Sequence, residues 1–128
     1  MLSDAHLLAG DAAASLAHAE EGLHISARTG EMWFDAELHR RLGGALLRLH
    51  PGDVACAEGE FLRALEIARS QSAKLFELRA ACDLALLWRN QRRLAEARDL
   101  LAQLYGWYTE GFKLPDLRKA KALLDQLA

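Results

Sequence analysis

GLHISARTGEMWFDAELHRRLG (residues 22–43) and ALEIARSQSAKLFELRAACDLA (residues 64–85) overlay at an offset of 42 residues, and that overlay decides the fold. It pairs Leu23 with Leu65, Ile25 with Ile67, Phe34 with Phe76, Leu42 with Leu84 and Gly43 with Ala85. A period near 40 made of two helices marks an α-solenoid, in which each hairpin buries its apolar face only by stacking on its neighbours.

The helices themselves follow from apolar spacing. Ala36, Leu38, Leu42, Ala45, Leu46 and Leu49 recur at three and four residues, which predicts an amphipathic helix over Asp35 to Leu49. His50-Pro51-Gly52-Asp53 stops it, since Pro fixes φ and Gly relaxes it, and Asp53 is placed to cap the next helix through its carboxylate. That helix is expected from Val54 to Ser70. A third fits Ala73 to Asn90 with Ser72 as N-cap, and a fourth fits Leu94 to Tyr105 after the polar corner Gln91-Arg92-Arg93. Gly106 to Gly111 reads as a break, and Pro115 sits in the first turn of a last helix ending near Leu127, where its missing N–H costs nothing. No segment alternates with period two for long enough to suggest a strand.

Projected backward, the pattern puts Leu2, Ser3 and His6 at the end of one helix, Gly10-Asp11 at a turn, and Ala12 to Arg28 in the helix that follows. The expected fold is therefore all-α. It is one α-solenoid domain over residues 1–128, built of antiparallel hairpins: a truncated repeat (1–30), two full repeats (31–71 and 72–106), then a break and a capping helix (107–128). An amputated first repeat leaves an apolar face without its cover, which implies either a longer native protein or self-association that hides the face.

Composition narrows the function classes. The chain has 128 residues, 52% hydrophobic and 27% charged with two prolines, enough for one packed helical domain. A formal net charge of −2 gives no global attraction to nucleic acid or anionic lipid, and there is no contiguous Lys/Arg stripe with interleaved aromatics. The N-terminus lacks the basic region of a signal peptide and no apolar run approaches the ~20 residues that span a bilayer, so a cytoplasmic location away from membranes is the expectation. Cys56 and Cys82 fit neither a disulfide framework nor a zinc ribbon and are expected as buried reduced thiols.

Catalytic and cofactor signals are missing. There is no GxxxxGK[ST] loop, no GxGxxG after a strand and no HExxH, and His6, His18, His24, His39 and His50 never recur at i, i+4. The expectation is no enzyme activity, no metal and no cofactor. Trp33, Trp88 and Trp107 stand at helical spacing and read as core, or, for Trp107 with Tyr108, as packing for the last helix.

Gly43 followed by Ala57, Phe61, Ala64 and Leu65, and Ala85 followed by Ala97, Leu101 and Leu104 with Trp88 ahead of them, resemble the tetratricopeptide pattern of a small residue in the first helix and Ala, aromatic or Leu in the second. The stretches RTGEMWFDAELHRRLGGALL, EFLRALEIARSQSAKLFELRAACDLALLW and LLAQLYGWYTEGFKLPDLRKAKALLDQL further resemble the C-terminal repeat region of large bacterial signalling ATPases, many of which carry a class III adenylate or guanylate cyclase domain. That resemblance covers nearly the whole chain, with YGWYTEGF…PDL its most specific part. It implies an interaction region in signal transduction and no chemistry in this chain.

In repeats of that family the concave surface is lined by residues one turn apart on the first helix of each hairpin. Carried over from the Gly43 and Ala85 anchors, the resemblance assigns Glu37, Arg40 and Arg48 to it from one repeat, and Arg79, Cys82, Leu86, Arg89 and Asn90 from the next. Four arginines on one face suit an acidic segment or a C-terminal carboxylate, because a guanidinium matches a carboxylate bidentately. The alternative is that these arginines are solvated or pair within their helices, for example Arg79 with Asp83 and, just off the groove, Arg41 with Glu37. The helix of residues 114–127 is expected to cap the stack, its Arg118, Lys119, Lys121, Asp125 and Gln126 forming a polar outer face. Two functions remain open on these grounds: a protein-binding scaffold, and a structural spacer or dimerisation module with no peptide ligand.

Overall fold

The computed structural model of the chain describes residues 2–106 and 115–127, and side chains from residue 10 onward. Among the described residues there are six α-helices and no strand: α1 (Leu2–Thr29), α2 (Asp35–Leu49), α3 (Val54–Ser70), α4 (Lys74–Asn90), α5 (Leu94–Tyr105) and α6 (Pro115–Leu127). The bounds of α2, α3, α5 and α6 are those the apolar spacing predicts.

The N-terminus departs from expectation. Gly10-Asp11 does not turn the chain, and α1 runs unbroken from Leu2 to Thr29. A lone glycine costs a helix only about 1 kcal/mol relative to Ala. Here Ala9, Ala12, Ala13 and Ala14, all strong helix formers, surround Gly10, and nothing lies within 4 Å of where its Cβ would stand. The helix ends instead at Gly30, whose φ of +77° suits glycine and whose N–H bonds Ser26 O at 2.8 Å.

Two of the tight corners repeat one device. Ser72 (φ +55°) and Arg92 (φ +63°) both stand in the left-handed region just past a helix. Ala73 N–H reaches back to Ala68 O at 2.9 Å, and Arg93 N–H reaches Trp88 O at 2.8 Å. Each closes the last helical carbonyls in a Schellman arrangement. Ser72 therefore terminates α3 rather than capping α4, whose N-cap position is Ala73. Nor does Asp53 cap α3 with its carboxylate; its Oδ2 accepts the Cys56 thiol at 3.3 Å.

Packing follows from these corners. Near the start of α3, Glu58 Oε1 accepts Trp88 Nε1–H (2.9 Å) from the end of α4, while Arg69 at the end of α3 reaches Glu77 (2.8 Å) at the start of α4. The two helices are thus antiparallel. Helices α2, α4 and α6 run in one direction: Phe34 meets Phe76 edge-on at 6.0 Å, Arg40 meets Asp83, and Arg79 and Lys119 bridge α4 to α6. Between them Leu78, Leu84, Leu101, Leu104 and Leu117 are essentially fully buried, each contributing about 1.5–3 kcal/mol by transfer from water.

Gly43 shows why a small residue is needed where α2 crosses α3. A Cβ there would lie 2.8 Å from Phe61 Cε1 and 3.1 Å from Ala57 O. Ala85, Ala57 and Ala64 are each 0% exposed. Cys82 is buried as expected, but Cys56, in the first turn of α3, is exposed. Trp33 is 69% exposed and so is not a core residue, whereas the half-buried Trp88 packs against the core; Trp107 and Tyr108 lie outside the described residues. No helix among the described residues is long and apolar enough to cross a membrane.

Candidate partner-binding cleft

On α2, Arg40, Gly44 and Arg48 succeed one another at four-residue spacing, so they share the face turned toward α4. On α4, Asp83, Leu86 and Asn90, three and then four residues apart, share the face turned toward α2. Gly44 has no side chain to fill the gap between them, and nothing lies within 4 Å of where its Cβ would be. The result is a cleft of about 380 Å³. Its floor is apolar, formed by Ala45, Phe61 and Leu87 with the half-buried Leu47 and Leu86. Its rim carries Arg40, Arg41, Arg48 and Lys119 against the single carboxylate of Asp83.

These cations are not equivalent. Arg40 donates Nε and Nη2 to the two oxygens of Glu37 (2.9 and 2.8 Å) and Nη1 to Asp83 Oδ2 (2.9 Å). The Glu37 hydrogen bonds hold its guanidinium well above the usual range; burial opposes this and Asp83 reinforces it. With three donor nitrogens engaged, Arg40 is a structural cross-link rather than a free ligand for a partner. Glu37 is only 2% exposed, sandwiched beneath Arg40 and Arg79 Nη1 (3.8 Å), so it cannot face a partner at all. A carboxylate so buried is tolerable because two guanidiniums neutralise it.

Arg79 also leaves the main cleft. Its Nε and Nη2 meet Asp116 of α6 at 3.3 Å each, beside a smaller pocket of about 200 Å³ bordered by Cys82 and Lys119. Burial pushes the Cys82 thiol up to about 12, so it stays protonated and poorly nucleophilic. Arg89 donates to Gln126 and fastens α4 to α6. Of the residues assigned to the groove, the structure brings Arg40, Arg48, Leu86 and Asn90 together in the cleft and places Glu37, Arg79, Cys82 and Arg89 elsewhere.

The two pairs named for the helix-internal alternative, Arg79 with Asp83 and Arg41 with Glu37, do not form, although Arg40 does pair with Glu37 within α2. Asp83 binds Arg40 and Lys119 (3.7 Å) instead of Arg79, and Glu37 takes Arg40 instead of Arg41. Side-by-side parallel helices bring α2 and α6 charges nearer to Asp83 than its own helix does. Arg41 stacks over the Phe34 ring at 5.2 Å. Arg48 and Asn90 are exposed and make no side-chain hydrogen bond or ion pair among the described residues.

Sequence reasoning missed Arg41, Lys119 and Ser15 as cleft residues. Arg41 had a signal, lying seven residues before Arg48 on the same side of α2. Lys119 had none at the 42-residue offset, because α4 and α6 pair at a sequence separation of 37.

A second hollow, of about 430 Å³, lies between α1 and α2. Asp11, Ala14 and His18 border it from α1, Leu38 from α2, and Ser15 and Arg41 are shared with the cleft. Among the described residues no group of three or more His, Cys, Asp and Glu side chains is arranged to hold a metal ion. Compared with known proteins, the chain matches no family model, no curated protein and no solved structure.

Proposed function

We propose that this chain is a non-catalytic protein-interaction module of tetratricopeptide type, an α-solenoid belonging to a larger signalling protein, whose ligand is an acidic peptide segment. The observation that carries the reading is the cleft between α2 and α4: an apolar floor under four cations and one carboxylate. An apolar floor receives an aliphatic anchor, and rim cations steer and select acidic flanks. The parallel run of α2, α4 and α6 and the close approach at Gly43 support the repeat architecture.

The residues offered to the ligand are Arg48, Asn90 and Arg41, since Arg40, Arg79 and Lys119 are held by internal carboxylates. The test is fluorescence anisotropy with a labelled peptide of alternating Glu and Leu. Arg48→Glu should abolish binding while leaving helicity unchanged. Arg89→Ala, outside the cleft, should leave affinity as it is. Binding that survives Arg48→Glu would remove the cleft from the interface.

A second reading is a spacer or dimerisation module, and one observation favours it. Trp33 is 69% and Met32 51% exposed on the α1–α2 connection, whose backbone is pinned by Gln71 Nε2 donating to Met32 O at 2.9 Å. A rigidly presented apolar corner suits a protein contact. Light scattering over a concentration series decides it: a dimer lost on Trp33→Ser with no peptide affinity supports the spacer, and a monomer at all concentrations removes it.

A further inference from the structure

The α2–α4 cleft and the α1–α2 hollow are neighbours that share a wall. Helix α2 packs against both α1 and α4, while α1 and α4 make no packing contact with each other among the described residues. The three helices therefore lie in a row with α2 in the middle. The wall between the two spaces is made by Ser15 and Arg41, which border both. Ser15 is small, and the Arg41 guanidinium lies over the Phe34 ring, 5.2 Å from its centroid.

Their charges differ. The cleft has four cations to one carboxylate. The α1–α2 hollow has one carboxylate, Asp11, to one cation, the shared Arg41. Asp11 is exposed and makes no ion pair among the described residues. A ligand crossing α2 thus passes from a surface with a surplus of cations to one where the exposed Asp11 offers a carboxylate.

We propose that the two spaces form one groove, which takes an extended peptide of opposed charge, with its acidic residues and aliphatic anchor over the cleft and a basic residue over Asp11. The proposal rests on the peptide-binding reading above and adds the ligand's charge order and spacing. Packed helix axes stand about 8–10 Å apart, so two steps from α4 to α1 cover about 16–20 Å. At about 3.3 Å per extended residue, the basic residue belongs about five to six positions from the acidic block.

The probes are labelled synthetic peptides on the full chain, read by anisotropy at low salt. Each carries a Glu-Glu-Leu block and a five-residue Ser/Ala spacer, ending in Lys, Ala or Glu, and each is made in both chain directions. The expected result is that, in at least one direction, the Lys peptide binds about threefold tighter than the Ala peptide, with the Glu peptide weakest. Asp11→Lys, an exposed change checked by circular dichroism, should reverse the Lys and Glu ranking. If acidic peptides bind and Arg48→Glu abolishes the binding, yet Lys, Ala and Glu ends are equivalent or Asp11→Lys leaves the ranking unchanged, the opposed-charge groove is wrong and the binding cleft stands. If no peptide binds, both readings fall.

Discussion

Gly43→Ala and Gly44→Ala make a matched pair, because the residues are adjacent on α2 and differ chiefly in what a new methyl group meets. Replacing a helical glycine by Ala lowers the entropy of the unfolded chain and favours folding by about 1 kcal/mol. At Gly44 the Cβ enters open space, so that gain should appear undiminished. At Gly43 it would stand 2.8 and 2.9 Å from Phe61 Cε1 and Cδ1 and 3.1 Å from Ala57 O. The Phe61 ring is 2% exposed and cannot swing into solvent, and the Ala57 carbonyl is backbone, so α2 and α3 must separate. Overpacking of this kind costs about 1–3 kcal/mol. The expected outcome is stabilisation by about 1 kcal/mol for Gly44→Ala and a net change between about zero and a loss of 2 kcal/mol for Gly43→Ala. The difference, about 1–3 kcal/mol, isolates the steric term because the helix-propensity gain is common to both. Urea unfolding followed by circular dichroism measures it, with the slope on denaturant unchanged. Phe61→Leu should bring the pair closer together by removing the obstructing ring atoms. If Gly43→Ala stabilises the chain as much as Gly44→Ala does, the close approach of α2 and α3 is not what places glycine there.

Three further outcomes follow from the same geometry. Ser72→Gly and Arg92→Gly should each raise the unfolding free energy by about 1 kcal/mol, since both positions hold left-handed φ values (+55° and +63°) that strain an L side chain; the same urea titration reads it. Glu37→Gln should lower stability by about 2–3 kcal/mol, because it strips the buried counter-charge from Arg40 and Arg79, and Arg40 at 25% exposure regains part of its hydration. Among the thiols, only exposed Cys56 should react with a thiol reagent in the folded chain. Cys82, its pKa raised to about 12 by burial, should make stability fall as pH rises above the ordinary thiol value of 9.0, where the unfolded thiol ionises and the folded one does not. Cys82→Val should flatten that fall between pH 9 and 11, by about 1.4 kcal/mol per pH unit at most.

The helices were legible because their signals are local. Apolar spacing and turn residues set the bounds of α2, α3, α5 and α6, and the glycine at 43 forecast where α2 and α3 meet. Gly10 misled because glycine alone is a weak breaker, and the alanines on either side of it outweigh it. Ser72 misled because a serine before a helix suits an N-cap, while the end of α3 needed a left-handed residue at the same position, and closing the carbonyls of α3 took precedence.

The cleft was half legible, and the missing half is instructive. Sequence spacing can say which residues share one face of one helix; it cannot say which charge on the next helix lies opposite. Glu37, Arg40, Arg79, Asp83, Asp116 and Lys119 form one balanced network of three carboxylates and three cations across α2, α4 and α6. Each was assignable to a helix face, yet their mutual neutralisation depends on the α2–α4 offset and on the separate α4–α6 offset of 37 residues. That network separates architecture from recognition. Arginines with carboxylates opposite them cement adjacent helices, and Arg48, eight residues beyond Arg40 along α2, borders the cleft without a carboxylate partner among the described residues and is left for a ligand. The count of arginines on a repeat surface therefore overstates its capacity to bind an acidic partner by the number that the neighbouring helices already neutralise.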